Sequence, residues 1–325
     1  MASTKTAPPI IGLEYRGRLA IITINNPQKL NALGLQQYYE ISQKLREVAT
    51  RDAVYITLII GKGRYFSAYV LFFFSTFLFS LPFLVYLTTR TPFPFSFLFL
   101  QLYLPVKNSG ADVSISREGP SSSSSGPNDA DETRQHWLRS FVANNLNTTQ
   151  AFYSHPKILV VALNGPVIGL SAALVAFADF IYAAPHTFLL TPFSSLGLVA
   201  EGGASRAFVQ RLGIGKANEA LIMSKRIPID DLVATGFVNK VFADCKPGDD
   251  ARFQELVLRE IDDRLGEHLV GDSLLGIKAL IRKPERDVLD VQNANEVFAG
   301  LERFVSGVPQ DEFLKVATGK KRHKL

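Results

Sequence analysis

The strongest chemical signal in this 325-residue chain is a turn rather than a side chain. "KILVVALNG" (157–165) reads as a buried strand ending at glycine, and "PVIGLSAALVAFAD" turns directly into an apolar helix rich in small residues. A strand, a glycine turn and a helix start leave backbone N–H groups free where the helix dipole favours negative charge, which suits a developing oxyanion. Gly and Ala at such a turn also serve close packing, so the turn alone does not establish catalysis. Downstream, "TPFSSLGLVAEGGAS" carries one acid, Glu201, just before a helix starting near Gly203, where capping would be its ordinary role. Asn145 in "FVANN" reads either as an orienting group for substrate or water or as an exposed helix asparagine. Asp179, closing the apolar helix, reads as a structural acceptor for nearby backbone donors. The five histidines form no ligand spacing, so no metal is expected, and the single cysteine, Cys245, excludes an internal disulfide or a cysteine zinc site.

The elements that must position these residues follow from periodicity. "RLAIITINN" (18–26) alternates β-branched residues and ends at Asn26-Pro27, a strand running into a turn. Leu35, Tyr38, Tyr39, Ile41 and Leu45 then fall at near-helical spacing, and "VYITLIIG" (54–61) returns to strand, giving a β-turn-α-β unit. Residues 117–133, "REGPSSSSSGPNDADET", read as a low-complexity surface loop, and 136–155 as a helix. "FIYAA" and "TFLL" are short strands, and from about Ala204 the chain reads as mostly helical.

Composition sets broad limits. Hydrophobic residues make up 47% and charged residues 20%, ordinary for a globular chain able to bury a sizeable core. A net charge of +5, much of it in the closing "GKKRHKL", does not signal nucleic acid and suits a small anionic ligand equally well. "MASTKTAPPI" has no apolar core of a secretory signal, and a reducing intracellular compartment is expected.

Several segments, in order, carry a family likeness: "ITINNPQKLNALG", "GKGRYFSA", "GADVS", "ALNGPVIGLSAALVAFADFIYA", "LGLVAEGGAS" and "GKANEALIMSKRIPIDDLVATGFVNKVF". As a set they resemble the enoyl-CoA hydratase/isomerase (crotonase) superfamily, most closely its fungal-type peroxisomal Δ3,Δ2-enoyl-CoA isomerases. The resemblance implies an α/β fold, a ClpP-like spiral of ββα units over about residues 8–245, followed by a C-terminal helical oligomerisation region at 246–319 and a basic tail at 320–325. It implies two backbone donors for a thioester oxygen, Ala111 from the "GADV" loop with Gly110 and Asp112 beside it, and Leu170 from the turn after Gly169. Two glutamates of the hydratases are replaced here by Ala173 and Phe193, which disfavours addition of water. Glu201 looks like the single catalytic glutamate of the isomerase branch, shuttling a proton from C2 to C4 of a 3-enoyl-CoA, with Leu198, Val199, Ala200 and Phe193 expected to raise its pKa. By the same resemblance Lys29, Leu30 and Ala32 meet the CoA moiety, with Ala68, Asn145 and Phe193 also near substrate. CoA is part of the substrate and no separate cofactor is expected. A homotrimer or hexamer is implied, with a dienoyl-CoA isomerase or an atypical hydratase as the neighbouring alternatives.

One segment does not belong to this pattern. "GRYFSAYVLFFFSTFLFSLPFLVY" (63–86) is long and apolar enough for a membrane span, yet the intervening residues 69–109 separate Ala68 from Gly110, which adjoin in the family pattern. Their Phe, Leu, Ser and Pro content can be written in pyrimidine-rich codons, and the ends accommodate splice signals, so 69–109 reads as a retained intron translated in frame. A membrane-associated, inactive acyl-CoA-binding protein is the competing interpretation. The final His323-Lys324-Leu325 resembles the Ser-Lys-Leu signal read by the peroxisomal import receptor, which makes the peroxisomal matrix the expected compartment.

Overall fold

In the computed structural model residues 8–68 and 127–322 are described. Gly110, Ala111, Asp112, the 69–109 insertion and His323-Lys324-Leu325 lie outside them. The first unit is as the periodicity requires: strands β1 (Ile11–Arg16) and β2 (Leu19–Ile24), helix α1 (Leu35–Ala49), then β3 (Ile56–Gly61). Helix α1 buries Tyr38, Ile41, Ser42, Leu45 and Val48, the three-and-four spacing of a one-sided helix.

The chain resumes at α2 (Pro127–Trp137), passes through a π-helical turn at Leu138–Val142 and continues as α3 (Ala143–Tyr153). Residues 127–133 are therefore helix, not the loop expected of 117–133. Asp131 and Glu132 sit near the helix start, where the dipole favours acids, Arg134 reaches Glu302 at 2.7 Å, and Trp137 anchors the far end in the core. Then follow β4 (Ile158–Leu163), β5 (Val167–Ile168), α4 (Leu170–Val175), β6 (Phe180–Ala183), β7 (Phe188–Leu190), α5 (Ala204–Leu221), β8 (Ile227–Pro228), α6 (Ile229–Ala234) and β9 (Lys240–Val241). Helices α7 (Asp250–Leu265), α8 (Gly271–Arg282), α9 (Arg286–Val305) and α10 (Val308–Ala317) complete a C-terminal helical region.

Six strands form one sheet in the order β1-β2-β3-β4-β6-β9, antiparallel only between β1 and β2. A smaller sheet, β5-β7-β8, stands beside it. Strand β4 is buried throughout, as a parallel strand covered on both faces must be. Its alternation divides the interior: Leu159, Val161 and Leu163 enter the core with α1, α4 and α5, while Ile158, Val160 and Ala162 face the core with α7. A third cluster joins Trp137, Leu196, Phe304 and Phe313, bringing the C-terminal helices to the end of the first core. The site lies there.

Candidate active site

Glu201 stands at the entry to α5, but it does not cap that helix. Its Oε2 instead accepts a 2.8 Å hydrogen bond from Asn145 Nδ2 on α3. Asn145 is 5% exposed, so the expectation of an exposed helix asparagine gives way to a buried one. Its Oδ1 accepts from Thr149 Oγ1 at 3.2 Å one turn on, which fixes which end of the amide faces Glu201. Burial, and then the negative charge of Glu296, push the Glu201 carboxyl up to about 7; the Asn145 hydrogen bond works in the opposite direction. A carboxyl poised there both takes and returns a proton near neutral pH.

The turn carrying Glu201 is pressed onto the candidate oxyanion helix. Gly202 has φ +69°, and a Cβ there would meet Leu170 Cδ1 at 2.7 Å and Ala173 Cβ at 2.9 Å. Glycine is thus required by both backbone conformation and space. It also explains why Ala173 is small: the space next to it is taken by the turn that bears Glu201.

Gly169 enters α4 with φ +70° and ψ −138°, a combination open essentially to glycine alone. Its own N–H donates to Leu190 O at 2.9 Å, tying the turn to β7. Leu170 is the first residue of α4, where the N–H has no acceptor within the helix, and no side chain caps this end. A donated chain of hydroxyls fixes the same turn from below. Tyr38 Oη meets Ser171 Oγ at 2.9 Å, Ser171 Oγ donates to Ser67 Oγ at 3.0 Å, and Ser67 Oγ donates to Asn31 O at 3.1 Å. Burial drives the Tyr38 phenol well above its ordinary pKa, and the Glu201 charge adds to that, so the ring enters the chain as a neutral donor.

An open pocket gathers these groups. Glu201, Asn145, Gly169, Leu170 and Phe193 all line it, together with Tyr38. Much of the remaining wall is apolar, with Trp137, Phe141, Leu196, Leu198, Phe304 and Phe313, the last two from α9 and α10, and Ser140, Asn144 and Thr148 are its uncharged polar members. On α2 and α3 the lining residues Trp137, Phe141, Asn145 and Thr148 are carried across the π turn on one face. Such a pocket takes an alkyl chain and meets it with a single carboxyl.

Lys29, Leu30 and Ala32 are not among the pocket-lining residues, but they sit in the turn leading to Leu33, which is. Leu30 and Asn31 both have positive φ, 50° and 56°, and Ala68 N donates to Leu30 O at 2.9 Å. The candidate CoA turn and Ala68 are thus brought together. Two organising residues were not expected from the sequence. Asn31, fully buried, accepts from Asn26 N and donates to Lys62 O and Tyr65 O, each at 2.7 Å, bolting this turn to the loop after β3. Two successive non-glycine residues with positive φ are not visible as such in "KLNAL", although asparagine tolerates that conformation. Glu296 on α9 is the other; it accepts from Gly203 N at 2.6 Å and Ser205 N at 2.8 Å and so takes the capping place that Glu201 leaves. Asp179 has the structural role expected of it: it accepts from Leu159 N at 2.8 Å and pairs with Lys278 and Arg282. Among the described residues no group of His, Cys, Asp and Glu could hold a metal ion, and no helix is long and apolar enough to cross a membrane.

The backbone is shared with solved structures. An enoyl-CoA hydratase/isomerase from Pseudoalteromonas atlantica superposes with a TM-score of 0.70 at 18% identity, covering 98% of this chain and 100% of that one. Residues 127–256 match the family profile Enoyl-CoA hydratase/isomerase. A Delta(3,5)-Delta(2,4)-dienoyl-CoA isomerase of Pyricularia oryzae is 62% identical over 96% of this chain and 98% of its own length. A 3,2-trans-enoyl-CoA isomerase of Saccharomyces cerevisiae is 30% identical over 97% of this chain and 96% of its own. The chain belongs to the enoyl-CoA hydratase/isomerase family, and its crotonase-type fold is the one expected.

Proposed function

We propose that this protein is an acyl-CoA double-bond isomerase of β-oxidation, converting 3-enoyl-CoA to 2-trans-enoyl-CoA with Glu201 as the proton shuttle. The observation that carries the reading is one carboxyl, poised near 7 and held by Asn145, on the wall of an apolar pocket that also holds the Gly169–Leu170 turn. Glu201 takes the proton from C2, and the C–H electron pair delocalises through C1 onto the thioester oxygen. The Leu170 N–H, and that of Ala111, receive this oxygen; each aimed donor is worth about 100-fold or more in rate. The protonated Glu201 then delivers its proton to C4 as C2=C3 forms and C3=C4 is lost. Atoms balance without water or a cofactor, and CoA enters only as part of the substrate. Lys29, Leu30 and Ala32 are assigned to the CoA end, and Ala68, Gly110 and Asp112 to the oxyanion loop.

A second reading is favoured by the Pyricularia relative: transfer of the proton from C2 to C6 of a 3,5-dienoyl-CoA. One carboxyl bridges C2 and C4 more readily than C2 and C6, which is why the shorter shift is preferred. Purified protein offered 3-enoyl-, 3,5-dienoyl- and 2-enoyl-CoA separates the possibilities. Fastest turnover of the 3-enoyl ester, abolished in Glu201→Gln, is the expected result. Faster turnover of the dienoyl ester assigns the longer shift, and hydration of the 2-enoyl ester overturns both.

The reading includes assembly into three or six copies and residence in the peroxisomal matrix. Ile277, Leu280 and Ile281 on α8 expose 57–72% of their surface, an apolar stripe suited to a subunit contact, and sedimentation velocity tests it. For the compartment the support is the terminal His323-Lys324-Leu325. A fluorescent protein fused ahead of the chain should collect in peroxisomes and disperse when those three residues are removed.

A further inference from the structure

Helix α9 touches both halves of the Glu201–Asn145 pair within a single turn. From Asn293, Nδ2 donates to Leu146 O at 3.3 Å, gripping α3 beside Asn145. From Glu296, three positions on, the carboxylate accepts from Gly203 N at 2.6 Å, Ser205 N at 2.8 Å and the Ser205 hydroxyl, gripping the turn beside Glu201. Gln292 Nε2 donates to the same Ser205 Oγ at 2.6 Å. Glu296 is 5% exposed, and although burial pushes its carboxyl above the usual range, every partner it has is a donor, the arrangement of an ionised carboxylate.

We propose that Glu296 is a positioning residue for proton transfer: by gripping Gly203 and Ser205 it fixes the turn from which Glu201 projects, and it places a carboxylate behind that turn. The inference rests on Glu201 being the base. The surroundings leave the electrostatic part to Glu296. Tyr38 from α1 and Asn145 from α3 are neutral, Leu170 and Ala173 from α4 are apolar, and Arg206 on α5 is engaged with Glu285 at 2.9 Å. Among the described residues Glu296 is the charge whose repulsion raises Glu201. One side chain in the C-terminal region therefore serves geometry and protonation together.

The test is the pH dependence of turnover of a 3-enoyl-CoA by the full-length protein and its Glu201→Gln, Glu296→Gln and Glu296→Asp variants. In Glu296→Gln, kcat should fall roughly 10-fold with KM within about twofold, because the base is misplaced and not the substrate. The acid limb of kcat/KM should move to lower pH by about half to one unit, because a neutral neighbour no longer repels the Glu201 carboxylate. Glu296→Asp, which keeps the charge, should restore the limb. A folded Glu296→Gln with an unmoved limb overturns the inference. Should that variant fail to fold, Ser205→Ala decides. It removes one donor and keeps the charge, so kcat should fall about threefold with the limb in place, and an unchanged kcat overturns the inference. If Glu201→Gln is itself fully active, the base assignment has failed; if it is inactive while the Glu296→Gln limb stays fixed, only the present inference has.

Discussion

Two half-buried acids in this protein receive opposite treatment. Asp179, in the turn between α4 and β6, meets two positive charges, Lys278 at 2.6 Å and Arg282 at 2.8 Å, and accepts from the Leu159 amide. Burial works to raise its pKa, but these partners overcome it and hold the carboxyl below the usual range. Lys278 also donates to Lys157 O at 2.6 Å, and nearby His155 is pushed down to about 3 by burial and by the same lysine. Glu201 has one neutral donor and a like charge for a neighbour, and lies near 7. Burial is common to both, so the sign of the partner decides between a lock and a reactive group. The lock holds α8 to the sheet; Glu201 faces the pocket.

The sharpest break of that comparison is Glu201→Gln, which should lower kcat about 1,000-fold while thermal stability at neutral pH is kept or raised. The mirror experiment is Lys278→Met. With Asp179 left short of a buried partner, stability should fall by about 3 kcal/mol in denaturant unfolding, with little change in kcat of the folded fraction. Asn145→Ala tests the neutral donor, and kcat should fall about 10-fold. Because the Asn145 bond lowers the Glu201 pKa, its loss should move the acid limb of kcat/KM to higher pH, opposite to Glu296→Gln. Smallest should be Arg282→Gln, about 1 kcal/mol, since that side chain is one-third exposed.

Stability should divide along the same line. Glu201, raised in the fold, takes up a proton before the unfolded chain does, so its contribution improves as pH falls from about 7 toward the ordinary carboxyl range. Asp179, depressed in the fold, contributes fully above the ordinary aspartate range and loses that contribution only as pH falls below it. The difference in unfolding midpoint between the unsubstituted protein and each of Glu201→Gln and Lys278→Met, followed against pH, should show these opposite slopes.

Much of this was legible in the sequence because it is local. The strand and turn at 157–170 and the alternation of "RLAIITI" need only neighbours in the chain, and they emerge as expected. Glu201 was legible as an acid in a loop, but not its partner's state. Whether Asn145 is buried depends on α1 and α9 packing against α3 from both sides, which periodicity within "FVANNLNTTQ" does not encode. Glu296 was hidden for the same reason, since it acts on a residue 93 positions away. At 127–133 local composition suggested loop, and contact with α9 through Arg134 prevailed.

The π turn at Leu138–Val142 has a consequence for evolution. One residue more than an α-helix requires is accommodated there, so deleting one would rotate everything upstream by about 100° about the helix axis. Trp137 would swing out of the pocket wall, while Asn145, downstream, would keep its bond to Glu201. A single codon thus acts as a phase adjuster, able to change the shape of the pocket while the Glu201–Asn145 pair stays in register.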